Sequence, residues 1–182
     1  MPRPNPLLNE ILEALHPEKR VLTPVTFGST TWVFQSPLSY SLEEWVTRKI
    51  PQGTIGTAGL YTASRLPELV ASTVSINGKD LRTIFADDLK TKLSETISQV
   101  QGRTDLKEDE KTDTIEDLLT QTSLDLLYDW MSSQLSGTMV RELYTAYEEQ
   151  VKKPQQKKQA DFFDSSEGTS ATPSTPQTTG RS

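Results

Sequence analysis

The stretch Val21-Leu22-Thr23-Pro24-Val25-Thr26-Phe27-Gly28-Ser29-Thr30-Thr31-Trp32-Val33-Phe34-Gln35 decides the fold class. Val21 to Phe27 and Thr31 to Gln35 are rich in β-branched and aromatic side chains, which suit a pleated, half-buried surface. They flank Gly28-Ser29-Thr30, so the spacing predicts a β-hairpin. Pro24 has no N–H to give to a ladder, which pushes the first strand towards an edge.

Outward from the hairpin, the chain reads as helix. Before it, Leu7, Leu8, Ile11, Leu12 and Leu15 recur at helical spacing, and Pro17 ends that short helix. After it, Ser41-Leu42-Glu43-Glu44 matches a capping box that opens a helix bearing Leu42, Trp45 and Val46 and ending before Pro51. Gln52 to Gly59 holds three glycines and reads as a flexible connection. A second helix carries Leu66, Leu69, Val70, Thr73 and Val74. Pro67 either starts it or kinks a longer one beginning near Thr57. Asn77-Gly78 follows as a tight-hairpin signal, because both positions accept positive φ. Leu89, Leu93, Ile97 and Val100 form a stripe closed by Gly102, and Asp105 to Asp113 reads as a solvated acidic linker. Ile115, Leu118, Leu119, Leu126, Leu127, Trp130 and Met131 predict a long amphipathic helix that Ser136-Gly137 interrupts. Met139, Val140, Leu143, Tyr144 and Tyr147 predict a last one. The expected class is mainly α with a small N-terminal β-hairpin (α+β), with room for a second small hairpin and with a disordered C-terminal tail.

The tail is read from composition. Lys152 to Ser182 contains only Ala160, Phe162, Phe163 and Ala171 as apolar residues, too little surface to offset the entropy of ordering a backbone. The expected organisation is one mostly helical domain over 1–151 and a polar tail over 152–182. The tail carries five basic and three acidic residues, so of the net −6 the domain holds −8.

Several functions are disfavoured at this level. With no cysteine, thiolate nucleophiles, disulfides and thiolate metal sites are excluded, and the single histidine, His16, removes any two-histidine site. His16 precedes Pro17 at a helix end, where it can meet the last carbonyls rather than act as a base. Asp105, Asp109, Asp113 and Glu116 fall at calcium-loop positions one, five, nine and twelve, yet Lys107 stands at three and Glu110 where glycine is needed. Gly53, Gly56 and Gly59 lack the Gly-Lys-Ser/Thr ending of a phosphate loop, and Ser29, Ser64 and Ser72 lack a nucleophile-elbow context. A domain at −8 repels nucleic acid. No cofactor, metal or catalytic residue is assigned. The start of the chain has no unbroken apolar run of a signal peptide, and no stretch approaches the roughly 20 apolar residues of a membrane span. The chain therefore reads as soluble and cytoplasmic. In the tail, Gln159-Ala160-Asp161-Phe162-Phe163 is similar to the short peptides that dock on bacterial sliding clamps, and its two phenylalanines suit a docking anchor of some kind.

The hairpin leading into Ser41-Leu42-Glu43-Glu44-Trp45 is one of three features that carry a resemblance. The second is the passage Leu69-Val70-Ala71-Ser72-Thr73-Val74-Ser75-Ile76-Asn77-Gly78, and the third is the acidic, cysteine-free helical body with a polar tail. From Val21 to Trp130 this pattern resembles the tail-assembly chaperones of tailed bacteriophages and related baseplate-hub assembly factors. The resemblance implies a non-enzymatic protein of the infected host cytoplasm. It would keep a tail or baseplate component, such as a tape-measure or hub protein, soluble during virion morphogenesis. A structural baseplate or tail protein retained in the virion is the alternative, and an acidic-site enzyme is a third. No nucleic acid or membrane partner is expected, and self-association stays open. The candidate partner-binding residues are Trp45, Tyr61, Trp130, Tyr144, Tyr147, Phe162 and Phe163, each with ordinary core packing as its plain alternative. Tyr144 and Tyr147, three residues apart, make the last helix the preferred contact face.

Overall fold

The structure, a computed structural model, describes residues 21–51, 57–155 and 157, with side chains left aside for 57–62. His16, the Leu7–Leu15 stripe, the side chain of Tyr61, and the tail segment with Phe162 and Phe163 lie outside what is described.

The hairpin forms where the β-branched and aromatic residues placed it. Strand β1 (Val21–Phe27) pairs antiparallel with β2 (Thr30–Ser36), with Val25 opposite Trp32. Gly28 takes φ +62 in the two-residue turn, a left-handed conformation that glycine adopts without steric cost. Helix α1 (Tyr40–Lys49) follows. It starts two residues earlier than the capping-box reading placed it. Ser39 precedes the helix and its carbonyl accepts from the N–H groups of Leu42 and Glu43, so Ser41 lies inside the first turn and does not cap.

Helix α2 (Thr57–Ser72) is the longer, proline-containing alternative, with Pro67 in its interior. It stops at Ser72. The hydroxyls of Ser72 and Thr73 both donate to the Leu69 carbonyl, at 3.0 and 2.7 Å, and the β-branched residues after them favour a strand. Thr73 and Val74 therefore leave the helical face expected of them and open β3 (Thr73–Ile76). Asn77 and Gly78, at φ 50 and 76, turn the chain into the short β4 (Lys79–Asp80).

Two hairpins were expected, and they join. Strand β3 lies along β2, giving one four-stranded sheet in the order β1-β2-β3-β4 with β1 at an edge, as Pro24 implied. Asn77 stitches the seam: its N–H donates to the Thr31 carbonyl at 2.7 Å, and its side-chain oxygen accepts from the Thr31 N–H at 2.8 Å.

Asp80 then caps α3 (Leu81–Ile84), accepting from the Thr83 N–H at 2.7 Å. Helix α4 (Ala86–Gln101) ends at Gly102, and α5 (Glu108–Gln134) runs for 27 residues. The expected acidic linker is thus shorter than Asp105 to Asp113. Glu108, Asp109 and Glu110 already form the first turn of α5, where carboxylates meet the positive end of the helix dipole. Ser136 caps α6 (Gly137–Tyr147), and a π-helical turn (Glu148–Lys152) continues it. The core lies on the sheet face that carries Val25, Trp32 and Phe34, covered by α1, α2, α5 and α6. Phe34 meets Tyr147 edge-on at 5.2 Å between ring centres.

Candidate functional site

A polar cluster sits where α2, α6 and the π turn meet. Glu68, next after Pro67, projects from α2. Tyr144 donates its hydroxyl to one Glu68 oxygen at 2.8 Å, and the Lys152 amine lies 2.6 Å from the other. Lys152 also donates to the Tyr144 hydroxyl at 3.4 Å, and the Arg65 guanidinium stands 5.5 Å from the centre of that ring. The π turn buries Val151 and brings Lys152 to Glu68. A cleft of about 410 Å³ opens beside the cluster, lined by Pro37, Leu38, Val46, Glu68, Tyr147 and Lys152. Burial, reinforced by the Glu68 charge, raises the Tyr147 phenol pKa well above its ordinary value, so this hydroxyl keeps its proton throughout the physiological range. Carboxylate and ammonium neutralise each other here. The arrangement ties the end of the last helix to α2, with Glu68 and Lys152 paired within the fold.

A second cluster encloses Trp45. Its indole N–H donates to Asp125 on α5 at 3.0 Å, and Lys49 pairs with the same carboxylate at 2.9 Å. The Lys49 amine lies 5.5 Å from the Trp45 ring and 5.2 Å from Tyr128, which meets Trp45 edge-on. This cluster fastens α1 to α5.

The expected partner-binding residues therefore separate. Trp45, Tyr144 and Tyr147 are corrected from contact surface to core, because each is all but fully buried. Helix α6 packs against both α2 and β1, so the face bearing Leu143, Tyr144 and Tyr147 has no solvent side. Trp130 is different, at 43% exposure near the end of α5. Other large apolar side chains stand out as well: Val21, Leu22, Tyr40, Ile84 and Met139, of which Tyr40 is the most open at 81%.

The carboxylates of the rejected calcium pattern disperse. Asp105 is chelated by the Arg103 guanidinium, and Glu116 pairs with Arg82, each interaction holding its carboxyl below the usual range. Among the described residues, no group of three or more His, Cys, Asp or Glu side chains is placed to hold a metal ion. Nor is any described helix long and apolar enough to cross a membrane.

Sequence reading missed Glu68, Lys152 and Asp125, which organise both clusters. Glu68 and Lys152 stand 84 positions apart and Asp125 lies mid-helix among like charges, so no local spacing marks them. Tyr40 was missed too, although its place at the opening of a helix, outside the Leu42–Trp45 stripe, was a usable signal. In comparisons with known proteins, no family model, no curated protein and no solved structure matches the chain.

Proposed function

We propose that this chain is a non-enzymatic assembly factor that holds a tail or baseplate protein of a tailed bacteriophage soluble until the virion takes it up. The observation that favours this reading is the set of large apolar side chains left open on a strongly acidic chain, Tyr40 and Trp130 foremost. Exposed apolar surface fits a partner that covers it, and net charge keeps the free protein dispersed meanwhile. The polar clusters, by contrast, pair Lys152 with Glu68 and Lys49 with Asp125 and serve the fold.

Co-expression with candidate tape-measure, tube and baseplate proteins tests the reading. The expected result is that one of them stays in the soluble fraction and co-purifies only when this chain is present. Precipitation of every such candidate regardless of this chain would sink the proposal. Mass spectrometry of purified virions separates the two forms of the idea: a chaperone is absent from the particle, whereas a structural component is recovered in quantity.

A further inference from the structure

Helix α5 carries two apolar stripes, and only one of them meets the body. Leu124, Leu127 and Met131 are sealed into the core. On another side of the helix, Ile115, Leu119, Thr122, Leu126 and Trp130 succeed one another at intervals of four, three, four and four. That spacing keeps them on one line along the helix surface. The first four are half-buried and Trp130 is exposed.

Helix α4 accounts for part of the cover. Its main contacts are with α5 and the short α3, and it buries Leu89, Leu93 and Val100 apart from the main core. Together, α4 and α5 pack against each other beside the main core, into which α5 sends Leu124, Leu127 and Met131. The line nevertheless stays half-buried and ends in an exposed Trp130, so a further helix laid along it would complete its packing.

Charge selects the occupant. Helix α5 holds eight carboxylates and one lysine, a net of −7. Asp129 adjoins Trp130 as an exposed acid, and Glu108, one heptad before Ile115, is exposed but paired with Lys111 at 2.7 Å. A second copy would set one such helix against another of equal charge. A helix with lysines or arginines flanking an apolar face is instead attracted by the net charge of α5, most directly beside Trp130, where Asp129 stands.

We infer that the Ile115–Trp130 line of α5 is a docking groove for a basic amphipathic helix of the partner protein, with Trp130 as its anchor. The inference rests on the assembly reading above and states which surface and which partner chemistry serve it. The line spans about 22 Å at about 1.5 Å per residue, matching roughly four turns of a partner helix.

The test uses the full chain and a fluorescein-labelled 18-residue leucine–lysine helix, with its leucine–glutamate twin as control, read by fluorescence anisotropy. The lysine peptide should bind saturably and the glutamate twin should not. Trp130→Ser should weaken binding by about tenfold or more, as expected for a central aromatic anchor. The charge variant Glu108→Lys with Asp129→Lys should weaken it several-fold and flatten its salt dependence. Tyr40→Ser, a still more exposed aromatic elsewhere, should leave it unchanged, and circular dichroism should show all variants folded. Equal binding of the two peptides, or equal losses for Trp130→Ser and Tyr40→Ser, overturns the inference. So does a concentration-dependent dimer that Trp130→Ser abolishes in the absence of peptide binding. If a tail protein co-purifies undiminished with both groove variants, the groove is wrong and the assembly reading stands. If the lysine peptide binds through Trp130 but no tail protein is ever held, the groove stands and the assembly reading falls.

Discussion

Two aromatic-bearing amphipathic helices of similar pattern end in opposite states. On α6, Leu143, Tyr144 and Tyr147 are sealed between the sheet and α2. On α5, the line from Ile115 to Trp130 is half-covered and ends in an open indole. The difference is in the neighbours. Helix α6 has one apolar face and a layer waiting for it on both flanks. Helix α5 runs for 27 residues, and its apolar residues occupy more than one face. Periodicity reports that a face wants burial; the count of neighbouring layers decides whether it gets it.

The largest test of that contrast is the double variant Tyr144→Ser with Tyr147→Ser. Each truncation empties a site of aromatic size in a closed core, at about 3–5 kcal/mol apiece, comparable to the whole stability of an ordinary domain. Loss of the circular dichroism signal, or collapse of the urea midpoint, is the expected result. A double variant with a wild-type midpoint would place those rings on the surface after all.

The sheet that seals α6 depends on its corner. Gly78 at φ 76 has open space around a prospective Cβ, so the cost of Gly78→Val comes chiefly from the backbone conformation. We expect about 1–3 kcal/mol of destabilisation in denaturant unfolding. Gly78→Asn should recover part of it, since asparagine tolerates the left-handed region. Equal losses for both variants would mean that something other than φ sets the cost.

Alkali probes the closed face by charge. Burial lifts the folded-state pKa of Tyr147 above its unfolded value of about 10. Protonated phenol is thus favoured by folding: the contribution is complete below pH 10 and disappears as pH climbs past it towards the folded value. Stability should fall above pH 10, and Tyr147→Phe should fall less steeply there. Parallel pH curves for the two proteins would show that another group governs the alkaline limb.

The smallest effect belongs to the open side. Trp130→Ser removes a side chain that is 43% exposed, so its unfolding free energy should fall by about 1 kcal/mol at most, far less than for the buried α6 tyrosines. A loss comparable to that of the α6 tyrosines would erase the contrast between the two helices.

Much of this fold was legible in the sequence because its signals are local. Gly28 and Asn77-Gly78 demand positive φ, Pro24 forbids a central ladder position, and the leucine and valine stripes of α4 and α5 repeat at helical intervals. Each is a property of a few adjacent residues, and each survives into the structure. The ends of elements were less legible where two local preferences compete, as at Ser39 against Ser41, or at Thr73, whose β-branching outweighs its place on a helical stripe.

What only the tertiary structure decided was which local pieces share a neighbour. Joining β3 to β2 made one sheet of two hairpins through the Asn77–Thr31 pair, 46 positions apart. The same closure drew Glu68 to Lys152 and Trp45 to Asp125, and it turned Tyr144 and Tyr147 inward while leaving Trp130 outside. The reason is physical. Propensity and periodicity act within a few residues, whereas burial and charge pairing act between surfaces that meet only after the chain has folded.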